Sequence, residues 1–216
     1  MSSAAWLRRQ RVDPYVAERN LLGARSPPGL ITACDGCNGP ANSHAGLRSR
    51  AAFKLREIDD KFTFLRRARA VVDLGCAPGG FLQVAHARMK HGLVVGVDLL
   101  PVEPVGASVH VVRGDFTAQA TVDAVLERVG ALPLDGVLCD MAPNTAGDPF
   151  VDGAKQLRLA RLAWAFASKH LAPGGFFVCK LFANGEEKHF ADALKARFGV
   201  VRFVKVGQRS LARGRN

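Results

Sequence analysis

The chain has 216 residues, of which 30 are Lys or Arg and 19 are Asp or Glu, giving a formal net charge of +11. This length suits one globular domain with additional terminal material. The charge favours a polyanionic partner such as nucleic acid, the alternative being a basic protein without one. No apolar run approaches the roughly 18 residues of a membrane helix, so we expect no membrane association. The five cysteines form no evident disulfide framework, which indicates a reducing compartment.

Residues 1–45 are predicted to be an N-terminal extension. From about residue 20 to residue 45 the chain is rich in Gly, Pro, Ser and Asn, which predicts a flexible insert. Cys34, Cys37 and His44 resemble part of a zinc site. A single CxxC supplies only half of a structural zinc site and no second pair follows at the required spacing, so we predict no metal.

A helix is predicted to run to about Lys61, because Ala51, Leu55 and Ile58 give it one apolar stripe. The surrounding segment is strongly basic. A solvated helix face is the usual explanation of such charge, but guanidinium groups also suit phosphate oxygens. The arginines predicted to bind RNA are Arg48, Arg50, Arg66 and Arg67.

The stretch from Val71 to Phe81, VVDLGCAPGGF, is predicted to form a buried strand, a tight turn and the start of a helix. It lacks the Gly-Lys-Ser/Thr of a P-loop and matches the dinucleotide pattern GxGxxG poorly. Asp73, two positions before Gly75, could interact with a cationic ligand, and Gly75 and Gly79 let the backbone approach that ligand closely. This favours S-adenosylmethionine (SAM), which carries an ammonium and a sulfonium group but no phosphate. A glycine turn without a ligand is the alternative.

Strands and helices alternate through the rest of the chain. This pattern predicts an α/β fold, with an open and mostly parallel sheet that has helices on both faces. Ligands of such sheets bind at the carboxyl ends of the strands. Asp98, 23 residues after Gly75, is placed to bind a ribose diol, and Asp115 to accept a hydrogen bond from an adenine amino group. Asp140 and Lys180 end the next two predicted strands.

Lys180 is unusual because it lies in an otherwise apolar strand. A ribose hydroxyl is a weak nucleophile and needs a general base, for which Lys180 is the candidate, with Lys54 nearby and Asp140 orienting it. The segment 140–144, Asp-Met-Ala-Pro-Asn, contains no aromatic ring for stacking, which disfavours a flipped base as the methyl acceptor. A purely structural ion pair between Lys180 and Asp140 is the alternative.

Several motifs together resemble the FtsJ/RrmJ family of RNA ribose 2′-O-methyltransferases, which have a Rossmann-like SAM-dependent methyltransferase fold. The resemblance implies that Lys54, Asp140 and Lys180 are three members of a Lys-Asp-Lys-Glu tetrad, with Lys180 accepting the proton. It also implies that Gly79 and Phe81 contact SAM, together with Asp98, Asp115 and Asp140. The sequences of the motifs are more similar to those of the branch that methylates a uridine in large-subunit ribosomal RNA than to those of the tRNA branch. The motifs are SRAAFKL (49–55), VVDLGCAPGGF (71–81), DLLP (98–101), GDF (114–116), DMAPNTAG (140–147) and LAPGGFFVCK (171–180).

Two departures from the family pattern concern the C-terminal part of the chain. No acidic residue follows Asp192, so the fourth tetrad residue is absent, and the last strand of the sheet is predicted to be missing. Its loss would leave an unpaired edge beside the strand of Lys180. The chain is therefore expected to be either an active rRNA 2′-O-methyltransferase or a catalytically weak RNA-binding protein of the same fold. A nicotinamide enzyme is a remoter alternative.

The predicted organisation is a methyltransferase domain at 46–206 followed by a basic tail at 207–216. The expected partner is ribosomal RNA, either naked or within the large ribosomal subunit. We expect a monomer in the cytoplasm, with a mitochondrial or other organellar location as the alternative.

Overall fold

The computed structural model describes residues 29–33, 46–144, 146–182 and 186–205. The Cys34, Cys37 and His44 prediction and the basic tail from residue 207 lie outside the described residues. The strands are β1 (Gly29–Ala33), β2 (Ala70–Leu74), β3 (Leu93–Asp98), β4 (Val109–Arg113), β5 (Leu134–Cys139), β6 (Phe176–Leu181) and β7 (Val201–Lys205). The helices are α1 (Ala51–Phe62), α2 (Gly80–Arg88), α3 (Gln119–Val129), α4 (Pro149–His170) and α5 (Glu187–Lys195), with a 3₁₀ turn at Leu65–Arg67.

The strands form one seven-stranded sheet in the order β4-β3-β2-β5-β6-β1-β7, and every pair of neighbours is parallel. Each face of the sheet has its own apolar cluster, because successive side chains of a strand point to opposite faces. Val71 packs with α1 and α2 on one face. Val72 and Leu74 pack with α3, α4 and α5 on the other. The predicted α/β fold with helices on both faces is confirmed.

The sheet edge expected to be open beside β6 is occupied by β1. Ile31 pairs with Cys179 of β6 on one side and with Phe203 of β7 on the other. Part of the segment predicted to be a flexible insert is therefore a strand. The run Gly-Leu-Ile-Thr-Ala is short and contains two β-branched residues, which suits a strand once partners are present on both sides. Because Gly and Pro residues surround this short run, the local pattern predicted a loop. The local sequence also does not indicate which strands β1 pairs with.

The apolar pattern predicts a helix over residues 151–171, whereas the helix after β5 begins two residues earlier, at Pro149. Asp148 caps it, because the Asp148 carboxylate accepts hydrogen bonds from the backbone N–H groups of Phe150 and Val151. Pro149 occupies the first helical position, where a missing N–H group has no consequence. Among the described residues, none of the helices combines the length and apolar character needed to cross a membrane.

Candidate functional site

Lys180 and Asp140 meet where β6 and β5 end. The Lys180 ammonium donates a 2.7 Å hydrogen bond to the Asp140 backbone carbonyl and lies 3.3 Å from the Asp140 carboxylate Oδ1. Lys180 is only 8% exposed. The structure thus brings together two of the three predicted catalytic residues, and their contact involves both the backbone and the side chain of Asp140.

Gln156 of α4 holds the backbone of Lys180 from the helical side. Its side-chain amide donates a 2.8 Å hydrogen bond to the Lys180 carbonyl, and the residue is fully buried. Its Oε1 has no hydrogen-bond partner among the described residues. The sequence pattern alone did not indicate a role for Gln156. The signal that could have found it is a glutamine on the face of α4 that also carries the buried residues Ala160 and Ala163.

The loop that follows Asp140 is tied to the start of α4. The buried Asp152 carboxylate accepts hydrogen bonds from the backbone N–H groups of Ala146, at 2.7 Å, and Gly147, at 3.1 Å. Asp152 was also missed, although an acidic residue in the first turn of a helix commonly binds free N–H groups. The tether fixes the backbone on one side of the Lys180–Asp140 pair.

Asp73 is a buried carboxylate at the same edge of the sheet. It is 1% exposed, and its Oδ2 has no hydrogen-bond partner among the described residues. Burial raises the pKa of Asp73 well above its usual value, and the nearby carboxylates of Asp140 and Asp98 raise it further. Because three carboxylates at one edge repel one another, a cationic ligand is favoured there. This arrangement fits the ammonium and sulfonium charges of SAM.

The glycine turn after β2 is anchored to the end of β3. The N–H group of Gly75 donates to the Val97 carbonyl at 2.9 Å, and that of Ala77 donates to Asp98 Oδ2 at 2.8 Å. Gly75 has φ of 75°, and a Cβ atom there would lie 2.0 Å from Met141 Cγ. A side chain at position 75 would therefore collide with Met141, which occupies this space. A contact between Gly75 and a cofactor stays a prediction.

Gly79 has φ of 107° and begins α2. A Cβ atom there would lie 2.9 Å from Arg48 Nη1, so this position too is restricted by the protein itself. Phe81 is 6% exposed and packs in the apolar cluster beneath α1 and α2. Contacts of Gly79 and Phe81 with SAM likewise stay predictions.

Asp98 is the last residue of β3 and Asp115 follows β4, so both lie at the edge where they were expected. Asp98 Oδ1 also accepts a 2.9 Å hydrogen bond from the Leu100 N–H group. Asp115 Oδ1 accepts from the N–H and hydroxyl groups of Thr117, at 2.9 and 2.7 Å. Both aspartates are half-buried, so their carboxylates are oriented by the protein and still reach solvent.

The remaining predicted residues lie on or after α1. Lys54 is half-buried on α1, and its proximity to Lys180 stays a prediction. The Arg48 guanidinium donates to the carbonyls of Glu103, at 2.6 Å, and Pro104, at 2.7 Å. Arg48 therefore clamps the loop after β3, and its contact with RNA stays a prediction. Arg50 is exposed at the start of α1.

Arg66 and Arg67 lie at the opposite edge of the sheet from this site. They belong to the 3₁₀ turn that immediately precedes β2, whereas Asp73 and the glycine turn are at its carboxyl end. The four arginines predicted to bind RNA are thus divided between two regions.

Three buried cysteines among the described residues, Cys76, Cys139 and Cys179, are not joined in disulfides. Burial raises the pKa of Cys139 to about 12 and that of Cys179 well above its usual value. They are therefore protonated thiols in the core, and thiolate chemistry is not expected of them.

Comparison with protein-family models gives a match to the FtsJ-like methyltransferase family over residues 47–210. Curated relatives named ribosomal RNA large subunit methyltransferase E include the Acidiphilium cryptum protein, which is 44% identical over 204 residues. The Caulobacter vibrioides protein of the same name is 42% identical over 204 residues. Each alignment covers 94% of this chain and 79% of the relative.

Among solved structures, one described as a ribosomal RNA methyltransferase from Plasmodium falciparum superimposes with a TM-score of 0.66. It is 27% identical in sequence, and the superposition covers 72% of this chain and 89% of that one. The parallel sheet with helices on both faces is therefore shared with a protein of known structure.

Proposed function

The chain belongs to the FtsJ-like methyltransferase family, and from this premise we propose that it methylates the 2′-oxygen of a uridine ribose in large-subunit ribosomal RNA. The relatives support the coarser part of this statement, that the chain is an enzyme that methylates ribosomal RNA. The finer part, the ribose oxygen of a uridine, is supported by the chemistry of the site. SAM, when bound, would supply a methyl carbon that is electrophilic because it is attached to the positively charged sulfonium sulfur, which leaves as a neutral thioether.

The observation that carries the proposal is the contact between Lys180 and Asp140. A neutral lysine amine has two N–H donors and one lone pair. The Asp140 carbonyl, at 2.7 Å, and the Asp140 carboxylate, at 3.3 Å, can accept from both donors. The lone pair then remains for the proton of the ribose hydroxyl. Asp140 in this proposal orients the base, and Lys180 accepts the proton as the oxygen takes the methyl group.

The residues that would hold SAM are the acids at the ends of β2, β3, β4 and β5. Asp73, with its unpartnered buried oxygen, and Asp140 would attract the positive charge of the amino-acid end. Asp98 would accept hydrogen bonds from ribose hydroxyls, and Asp115 from an adenine amino group. Gly75, Gly79 and Phe81 would form the adjoining wall. Lys54 would add a second positive charge near the reacting oxygen.

A second candidate function, a catalytically weak RNA-binding protein of the same fold, is favoured by one observation. No acidic residue follows Asp192, so the C-terminal segment supplies no fourth catalytic acid. A tRNA substrate is the other alternative. We further propose that the protein acts as a monomer in the cytoplasm on RNA within the large ribosomal subunit, since the curated relatives named above are bacterial. In our proposal residues 46–206 form the methyltransferase domain, completed by β1 from the N-terminal extension.

The test is transfer of tritiated methyl groups from SAM to three substrates: large ribosomal particles, naked large-subunit RNA and tRNA. Digestion of the product to nucleosides then identifies the modified nucleotide. We expect label in 2′-O-methyluridine from ribosomal RNA. Label in tRNA alone, or in a base, would overturn the proposed substrate. No transfer to any of the three, with RNA still bound, would support the weak RNA-binding protein instead.

The role of Lys180 is tested with two variants. Lys180→Arg keeps a positive charge and hydrogen-bond donors but cannot give up its proton, and Lys180→Met keeps the apolar stem alone. Loss of a general base lowers rates by about 10²–10⁴-fold, and we expect both variants to fall in that range. Exposed Lys169 at the far end of α4 provides the matched control, Lys169→Met, which should retain activity. An Lys180→Arg variant as fast as the parent would exclude Lys180 as the base.

A further inference from the structure

A concave basic surface lies at the edge of the sheet opposite the candidate active site. We call it the amino-edge surface and define it by Phe62, Thr63, Arg66, Arg67, Lys90 and His91. Arg66 and Arg67 precede β2, whereas Lys90 and His91 precede β3. Since parallel strands start at one edge and end at the other, these residues are separated from Asp140 and Lys180 by the length of the sheet.

Two adjoining hollows form this surface. The first has a volume of about 600 Å³ and is lined by Phe62, Thr63, Arg66 and Arg67. The second, of about 360 Å³, is also lined by Arg66 and Arg67, and continues past Lys90 and His91. The two arginines therefore stand between the hollows and can reach a ligand in either.

The backbone that presents the two arginines is held in place by a buried acid. Asp59 is 2% exposed, and its Oδ1 accepts a 2.9 Å hydrogen bond from the Leu65 N–H group at the start of the 3₁₀ turn. The Asp59 carbonyl accepts a 2.7 Å hydrogen bond from Thr63, which ends α1 in a left-handed conformation with φ of 53°. The turn is therefore organised before any ligand binds.

The positive charges of the amino-edge surface are not neutralised by any acid among the described residues. In the part of the chain that the structure describes, Arg66, Arg67 and Lys90 form no ion pair with an acid. The neighbouring Arg69 is different, because its guanidinium donates to both oxygens of Asp135, at 2.8 and 2.7 Å. Asp59 and Asp60, also nearby, pair with Arg88. Three exposed cations remain for an external anion.

We propose that the amino-edge surface binds the phosphodiester backbone of the RNA substrate at a distance from the methylated nucleotide. Guanidinium groups bind phosphate oxygens with two hydrogen bonds, and two adjacent hollows suit successive phosphates better than one isolated anion. The half-buried Phe62 ring lines the first hollow, and the Lys61 ammonium lies over this ring, 5.4 Å from its centroid, so a further positive charge stands beside the hollow. The net charge of +11 is consistent with an extended polyanion.

The proposal rests on the proposed function, since it takes the substrate to be RNA. It adds that this RNA binds at both edges of the sheet, at the candidate active site and at the amino-edge surface. A five-residue strand is about 17 Å long, and an RNA strand advances about 3.4 Å per nucleotide in a duplex. An RNA of about four nucleotides is therefore too short to reach from the candidate active site to the amino-edge surface, whereas one of about twenty nucleotides can do so.

The experiment measures RNA affinity as a function of salt for the full chain and for the double variant Arg66→Gln/Arg67→Gln. Each phosphate contact contributes about 0.7 to the slope of log affinity against log salt for a single strand, so the slope should fall by about 1.4. If the electrostatic part of the binding free energy vanishes near 1 M salt, a fall of about 1.4 in the slope corresponds to about a 25-fold loss of RNA affinity at ~0.1 M salt. The control is Arg161→Gln/Lys188→Gln, which removes two exposed charges from α4 and α5.

The expected result is the lower slope for the twenty-nucleotide RNA in the Arg66/Arg67 variant and no change in the control. The KM for methyl transfer to the twenty-nucleotide RNA should rise in the Arg66/Arg67 variant, with kcat and SAM affinity unchanged. The KM of a four-nucleotide RNA offered as methyl acceptor should be the same in both variants, because this RNA cannot occupy the candidate active site and the amino-edge surface together. An unchanged slope in a variant that still methylates RNA would overturn the amino-edge proposal and leave the proposed function intact. An altered slope in a chain that transfers no methyl group would support the surface while the proposed function fails.

Discussion

Replacement of Asp73 by Asn should stabilise the protein while it weakens SAM binding. The Asp73 side chain is 1% exposed, and its Oδ2 has no hydrogen-bond partner among the described residues. Burial raises the pKa of Asp73 well above its usual value, with Asp140 and Asp98 adding to the shift. A charge held in these surroundings opposes folding, and its retention indicates a role other than stability.

The size of the effect follows from the negative charge, because Asn is neutral but keeps polar atoms at the position of the unpartnered oxygen. A buried charged group without a partner costs about 1–3 kcal/mol, and each kcal/mol shifts the melting temperature of a chain of this size by about 2–4 °C. Asp73→Asn should therefore melt about 2–12 °C higher than the parent at pH 8. The pKa of Asp73 is higher in the folded than in the unfolded protein, so the parent loses stability as the pH rises through the folded-state value. The difference in melting temperature between Asp73→Asn and the parent should accordingly disappear at acidic pH.

Scanning calorimetry from pH 4 to pH 8 measures this difference, and titration calorimetry with SAM on the same samples measures binding. A hydrogen bond to a charged group contributes about 1.5–3 kcal/mol, so SAM affinity should fall about 10–100-fold. Asp192→Asn is the matched control, because Lys195 lowers the pKa of this exposed aspartate and its neutralisation brings no such gain. A lower melting temperature for Asp73→Asn at pH 8 would refute the reasoning about burial, and unchanged SAM affinity would refute the assigned role in binding.

Three further changes test the turn, the sheet and the lysine strand. Gly75→Ala places a Cβ atom 2.0 Å from Met141 Cγ at a φ of 75°. We expect a denaturant titration to show that the free energy of unfolding falls by about 2–5 kcal/mol. The control Gly147→Ala, with φ of 84° and open space around the new Cβ atom, should lower it by only about 1–2 kcal/mol. Ile31→Pro removes an N–H group from a strand that is paired on both sides. It should lower the free energy of unfolding by about 1–3 kcal/mol and speed hydrogen exchange of the backbone amides of β6 and β7, whereas Ile31→Val should not. Equal amide protection in both variants would show that β1 does not support the sheet. Gln156→Met removes the donor that holds the proposed base, so kcat should fall with SAM affinity unchanged; an unaltered kcat would limit this residue to packing.

The sequence predicted the strands and helices from β2 to β7 closely, because each strand is a short apolar run bounded by glycine, proline or polar residues. Asp148 shows what the apolar pattern omits, since its carboxylate, and not hydrophobicity, sets the start of α4. The acids at the strand ends were also predictable, because parallel strands bring their carboxyl ends to one edge whatever the details of packing.

The sequence alone thus determined the alternating fold, the edge that carries the acids, and the presence of a lysine in an apolar strand. Only the tertiary structure decided that Gly29–Ala33 lies between β6 and β7, that Gln156 holds the backbone of Lys180, and that Arg66 and Arg67 face away from the candidate active site. The physical reason is the range of the forces involved. Strand and helix patterns arise from neighbours along the chain, whereas strand partners, buried hydrogen bonds and unpaired charges depend on residues that are close only after folding.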